Sequence, residues 1–175
     1  MEEEAQAFEA ALAKEEYHLM DDDVESLEEN EEVKREFEAL HNKVHTHPLW
    51  KAAWQYCSKA REFLKSVDFP AQDFSPETKY HLETITWYHT LLSAKMNRAL
   101  TGFYETDLEH LKDHAACDAV AQLDVCQKAV EQSLQAFKML APSIPPNPSL
   151  VSLTALLNNI RDQIHLVEQD LEEKL

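Results

Sequence analysis

SPETKYHLETITWYHTLLSAKMNRALTGFYETDLE, residues 75–109, decides the fold of this chain. Within it Leu82, Ile85, His89, Leu92, Met96, Ala99 and Phe103 recur at alternating steps of three and four. On a 3.6-residue period that spacing places them on one helix face, a seam made to pack against other helices. Ser75-Pro76 opens the run with an N-cap residue followed by proline at the first helical position. Gly102 falls where the helix is expected to stop. Thr106-Asp107-Leu108-Glu109 then reads as a capping box that starts the next helix. The short link predicts an antiparallel helix pair, about 76–101 and 107–140.

Gly102 is the single glycine among 175 residues. Hairpin turns, dinucleotide fingerprints and phosphate-cradling loops all need glycine, so strands and nucleotide motifs are not expected. Outward from the seam, two more amphipathic stretches complete a set of four. One runs from about 48 to 67 with Leu49, Ala53, Tyr56, Ala60, Phe63, Leu64 and Val67 on one face. The other runs from about 149 to 173 with Leu150, Leu153, Leu157, Ile160, Ile164, Val167 and Leu171, and Ser149 is expected to cap it. The expected fold is all-α, an antiparallel up-and-down four-helix bundle over residues 47–175. Before it comes an acidic helical arm or hairpin, residues 1–46. In that arm Ser26-Leu27-Glu28-Glu29 reads as a capping box, and Val33, Phe37, Leu40 and Val44 form an apolar face. Pro48 ends or kinks the arm helix, because proline has no amide hydrogen and its ring clashes with the preceding turn.

Charge is distributed unevenly. The chain carries a net −17, of which −13 lies in residues 1–38 and −4 in the remainder. Such a surface does not suit nucleic acid or anionic membranes, whose phosphates call for Lys and Arg. An acidic arm suits a protein partner with a basic surface, and a homodimer is a second way to occupy it. The first residues are acidic where a secretory signal would be basic and then apolar, and no apolar run is long enough to span a bilayer. Cys57, Cys117 and Cys126 are odd in number and lack CxxC spacing. These features favour a reducing, cytoplasmic setting.

Nine histidines beside 33 acids raise the question of a metal centre. Glu15-x-x-His18 and Glu38-x-x-His41 have the spacing of carboxylate-bridged bundles, but so acidic a composition supplies such pairs by chance. The rarer i, i+4 pairs are His41/His45 and His110/His114. On a helical wheel the second pair faces away from the apolar stripe of its helix, so His41 and His45 are the candidate ligands for a divalent metal. His110-x-x-x-His114 and His165-x-x-x-x-Asp170 resemble two ligand spacings of the hemerythrins. No His-x-x-x-Glu precedes them, and His165 lies off its apolar stripe, so the resemblance does not extend to a site. His89, inside the seam, is expected to be a buried histidine hydrogen-bonded to a neighbouring helix.

No catalytic motif surrounds any serine or cysteine, and no catalytic or cofactor-binding residue is assigned. Trp54 sits away from its helix's stripe centre, where an exposed tryptophan marks a contact surface. The functional expectation is a non-enzymatic adaptor or regulator acting through protein–protein interaction. The alternative is a metal-binding bundle at His41/His45, or on the His81/His89 face, with redox or hydrolytic activity.

Overall fold

The computed structural model describes residues 31–69, 73–108, 112–144 and 147–174. Every regular element among them is a helix: α1 Glu31–Thr46, α2 Pro48–Ser66, α3 Pro76–Glu105, α4 Lys112–Leu140 and α5 Pro148–Lys174. None is long and apolar enough to cross a membrane. The chain divides into two compact units, Met1–His41 and Asn42–Leu175. The Ser26 capping box lies outside the described residues. In the first unit, Val33 and Leu40 are half-buried while Phe37 is 68% exposed. Val44, the fourth residue of the expected apolar face of α1, is 1% exposed, so that face is borne out at Val44 and not at Phe37.

In the second unit α2 packs on α3 and α5, and α4 packs on the same two helices. The inward faces match the stripes read from spacing. Leu49, Tyr56, Leu82, Leu92, Leu123 and Leu157 are among the fully buried side chains, and each large apolar one contributes about 1.5–3 kcal/mol by leaving water. Tyr56 on α2 and Phe137 on α4 meet edge to face at 6.5 Å, and Phe63 meets Phe137 in the same way at 6.0 Å. The phenol of Tyr56 and the hydroxyl of Ser133 are buried beside these rings. Burial raises the Tyr56 pKa, and Ser133 partly opposes that rise, although the two oxygens do not meet full hydrogen-bond geometry.

The helix ends depart from expectation in four places, each for a local reason. Gly102 does not stop α3: it lies inside the helix, buried and without positive φ. A Cβ there would stand 2.9 Å from the Ala115 carbonyl oxygen and 3.2 Å from Ala119 Cβ. Its role is to let α3 and α4 approach closely, in the most extensive of the helix pairings. Thr106 closes α3 instead of opening α4. Its hydroxyl donates to the Phe103 carbonyl (2.6 Å), and residues 106–108 form a turn, so α4 does not begin at 107. Glu109 lies outside the described residues. From the far end of the chain, the Lys174 ammonium donates to the Phe103 carbonyl and to Asp107, placing a cation at the negative end of α3. Asn147, not Ser149, caps α5, its side-chain oxygen accepting from the Ser149 N–H. The left-handed position that glycine usually takes falls to Asp68 (φ 54°) at the end of α2. There Phe69 N–H bonds Leu64 O and Asp68 N–H bonds Lys65 O, which is a Schellman closure.

The break between α1 and α2 is a single residue. His47 takes an extended conformation, and its Nδ1 accepts from the Leu49 N–H at 3.1 Å, so an imidazole serves as N-cap before Pro48. The ring lies edge-on to Phe103 and Tyr104. Burial lowers its pKa from 6.5, opposed by the charge of Asp170. An Nδ1 that accepts cannot also be protonated, and a cation at a helix N-terminus is unfavourable.

Two predictions follow from these ends. Helix propensity favours Gly102→Ala by about 1 kcal/mol, but a methyl forced against backbone costs about 1–3 kcal/mol. A net loss of about 1 kcal/mol in urea unfolding is expected, and a gain would refute the close-approach role. For His47, the folded pKa lies below the free value of 6.5. Its contribution is therefore complete above pH 6.5 and lost as pH falls through the folded value. Urea midpoints between pH 7.5 and 5 should fall less in His47→Asn, which caps without titrating, than in the parent protein.

Candidate functional site

Side chains that a helix turns outward are available for recognition, and on α2 they fall in one row. Lys51, Trp54, Ser58, Arg61 and Lys65 are spaced three, four, three and four apart, and all are exposed. The opposite face of α2 carries Ala53, Tyr56, Ala60 and Leu64 into the core. α3 answers this row with uncharged polar residues. Thr86, Thr90, Ser93 and Asn97 share one face at steps of four, three and four. Between the two rows lies a cleft of about 100 Å³, walled by Trp54, Ser58 and Arg61 and by Thr90 and Ser93. Cys57 and His89 form its floor.

His89 is buried, 6% exposed, as its place in the seam implied. Its partner is not a neighbouring helix but its own. Nδ1 lies 3.1 Å from the Ile85 carbonyl, one turn back. A carbonyl only accepts, so Nδ1 carries a proton, and the Thr90 hydroxyl lies 3.5 Å from Nε2. The Cys57 thiol donates to the His89 carbonyl, which ties α2 to α3 at the cleft floor. Burial pushes the Cys57 thiol up from its ordinary pKa, with Ser93 and Arg61 opposing. A protonated, hydrogen-bonded thiol is a poor nucleophile. The floor is thus a set of satisfied polar groups, and the reactive edge of the cleft is its rim.

At that rim Trp54 is 61% exposed. Its ring stacks on Trp50 at 5.9 Å, and Trp50 in turn stacks on His45 at 4.8 Å. The ladder holds Trp54 in place, so little side-chain entropy remains to be lost on contact. Trp87, on another face of α3, is 68% exposed. Spacing had marked Trp54 as off its stripe.

The candidate metal ligands His41 and His45 lie one turn apart on α1. Among the described residues no group of three or more His, Cys, Asp or Glu is placed to hold a metal ion. His81 is half-buried on α3, and its ring meets Tyr80 edge-on at 5.4 Å. His114 and His165 are exposed, and His165 pairs with Glu168 on its own helix at 3.0 Å. His110 lies outside the described residues.

Thiol chemistry tests the cleft floor. Cys117 is exposed, whereas Cys57 and Cys126 are buried, the Cys126 pKa being pushed up to about 12. Iodoacetamide should label Cys117 more than about tenfold faster than either of the others in the folded protein, since each pKa unit is tenfold in thiolate. Labelling of Cys57 at the rate of Cys117, read by peptide mass spectrometry, would show the floor to be open. No family model, curated protein or solved structure matches this chain.

Proposed function

We propose that the four helices α2–α5 form an antiparallel four-helix bundle and that the protein is a non-enzymatic adaptor or regulator in the cytoplasm. On this reading it docks a partner protein on the outer face of α2 and α3. The observation that carries the reading is Trp54, a large ring exposed at the mouth of a cleft and held there by stacking on Trp50. Tryptophans in this setting dominate the energetics of protein interfaces. The ring of packing from α2 to α3, α4, α5 and back to α2 supports the bundle. Close approach of Gly102 to Ala115 and the Arg98–Asp118 ion pair at 3.0 Å both fit an antiparallel α3–α4.

The concentrated −13 of residues 1–38 supports a second contact, with a basic surface on a partner. For the alternative metal-binding reading, His41 and His45 remain the ligand pair, and elemental analysis of untagged protein is its measurement.

Trp54→Ala tests the docking face and Trp87→Ala, on another face of α3, is its control; both rings are exposed and their removal leaves the core intact. Thermal unfolding of both variants should match the parent protein. A protein captured by the parent chain and cross-linked to α2 or α3 should bind Trp54→Ala at least about tenfold more weakly, the loss typical of an interface anchor. Unchanged affinity of Trp54→Ala would sink this reading.

A further inference from the structure

Among the described helices of this acidic chain, one is basic. Within α2, Lys51, Lys59, Arg61 and Lys65 face a single acid, Glu62, for a net charge of +3. The other described helices are neutral or negative: α1 −1, α3 0, α4 −1 and α5 −3. Three of the four cations, Lys51, Arg61 and Lys65, stand in the exposed row that also contains Trp54. Lys59 turns aside and donates to Ser152 on α5. Among the described residues no carboxylate lies within ion-pair distance of Lys51, Arg61 or Lys65. The facing row on α3, Thr86 to Asn97, is uncharged and does not neutralise them.

We infer that the α2–α3 cleft binds an acidic segment of a partner protein, with an apolar side chain held against Trp54 and carboxylates on either side of it. This names the partner chemistry of the docking face and rests on that reading. The geometry sets the pattern of the segment. At 1.5 Å per residue, Lys51 to Lys65 spans about 21 Å, and Trp54 to Arg61 about 10 Å. Four turns of a partner helix, or six to seven residues of extended chain, cover that row. The apolar anchor sits between the carboxylate that meets Lys51 and the carboxylates that meet Arg61 and Lys65. A cleft of about 100 Å³ admits one aliphatic side chain. Its floor asks for no charge, since the Cys57 thiol and His89 Nδ1 are already bonded. The Ser58 hydroxyl at the rim remains to order a carboxylate beside the Arg61 guanidinium. Nucleic acid would also meet these cations, but net −17 on the whole chain disfavours a polyphosphate. A short acidic segment places its few charges on the +3 helix alone.

The test uses the full chain and a fluorescent, acetylated peptide of glutamates around a central leucine pair, with its glutamine counterpart as control. Anisotropy should show saturable binding of the glutamate peptide, weakened by added salt, with a concurrent change in tryptophan emission. Lys51→Gln/Arg61→Gln should weaken it at least about tenfold, as loss of paired interface charges does. Lys112→Gln/Lys138→Gln, which removes the same charge from α4, should change it less than about twofold. Equal binding of the glutamine peptide, equal loss in both double variants, or no saturable binding would overturn the inference. So would tighter binding of single-stranded oligothymidylate at the same residues. Self-association in sedimentation velocity that Lys51→Gln/Arg61→Gln abolishes would identify the occupant as a second copy and also overturn it. If the peptide fails while Trp54→Ala still releases a cross-linked partner, the docking face stands and only its acidic specificity falls.

Discussion

The contact between α3 and α4 at Gly102 is the constraint on which the rest of the second unit depends. With no side chain at Gly102, the Ala115 carbonyl and Ala119 approach to distances that a Cβ would make repulsive. Small residues then continue along α4, where Ala115, Ala119, Cys126 and Ala129 are all buried. Two backbones that lie this close leave little room between them, and the larger side chains are directed elsewhere. Leu92, Met96, Leu123 and Val130 are buried elsewhere in the core, and Tyr56 and Phe63 of α2 meet Phe137 of α4 edge to face. The most intimate helix pair therefore sets where the bulky core must sit.

A chain so poor in glycine must end its helices by other means, and each end uses a different group. Asp68 accepts a left-handed conformation that costs a side chain roughly 1–2 kcal/mol. Thr106 folds its hydroxyl back onto α3, and Lys174 arrives from α5 to hold the same carbonyl. The Lys174 ammonium also lies 4.0 Å from the centre of the Phe103 ring, so one cation serves a helix terminus, a carboxylate and an aromatic face. His47 makes the turn into α2 dependent on a neutral imidazole. These are side-chain solutions to a backbone problem, and three of them bring titratable groups to helix ends.

The electrostatic contrast within the chain gives the outer surface its meaning. Acids accumulate in residues 1–38, yet α2 shows a positive row with an indole in its middle. Exposed cations on one helix contribute little to folding. Their selective value on that face is easier to understand as recognition than as stability. The cleft supports this view because its buried polar groups are satisfied internally, leaving only the rim to engage another molecule.

Spacing alone determined that this protein is helical, which residues face inward and where α2 begins, because apolar periodicity and proline are local properties. It also placed His89 in the core and Trp54 off the apolar stripe. What it misjudged were the roles of Gly102, Thr106 and Ser149, and the partner of His89. A glycine reads as a helix stop unless a second helix is known to press against it, and that neighbour is supplied only by folding. The cleft was hidden for the same reason. The row Lys51, Trp54, Ser58, Arg61 and Lys65 is legible in α2, and Thr86, Thr90, Ser93 and Asn97 in α3. Only packing through Cys57 and His89 brings the two rows together, since a cleft belongs to a pair of helices and periodicity describes one helix at a time.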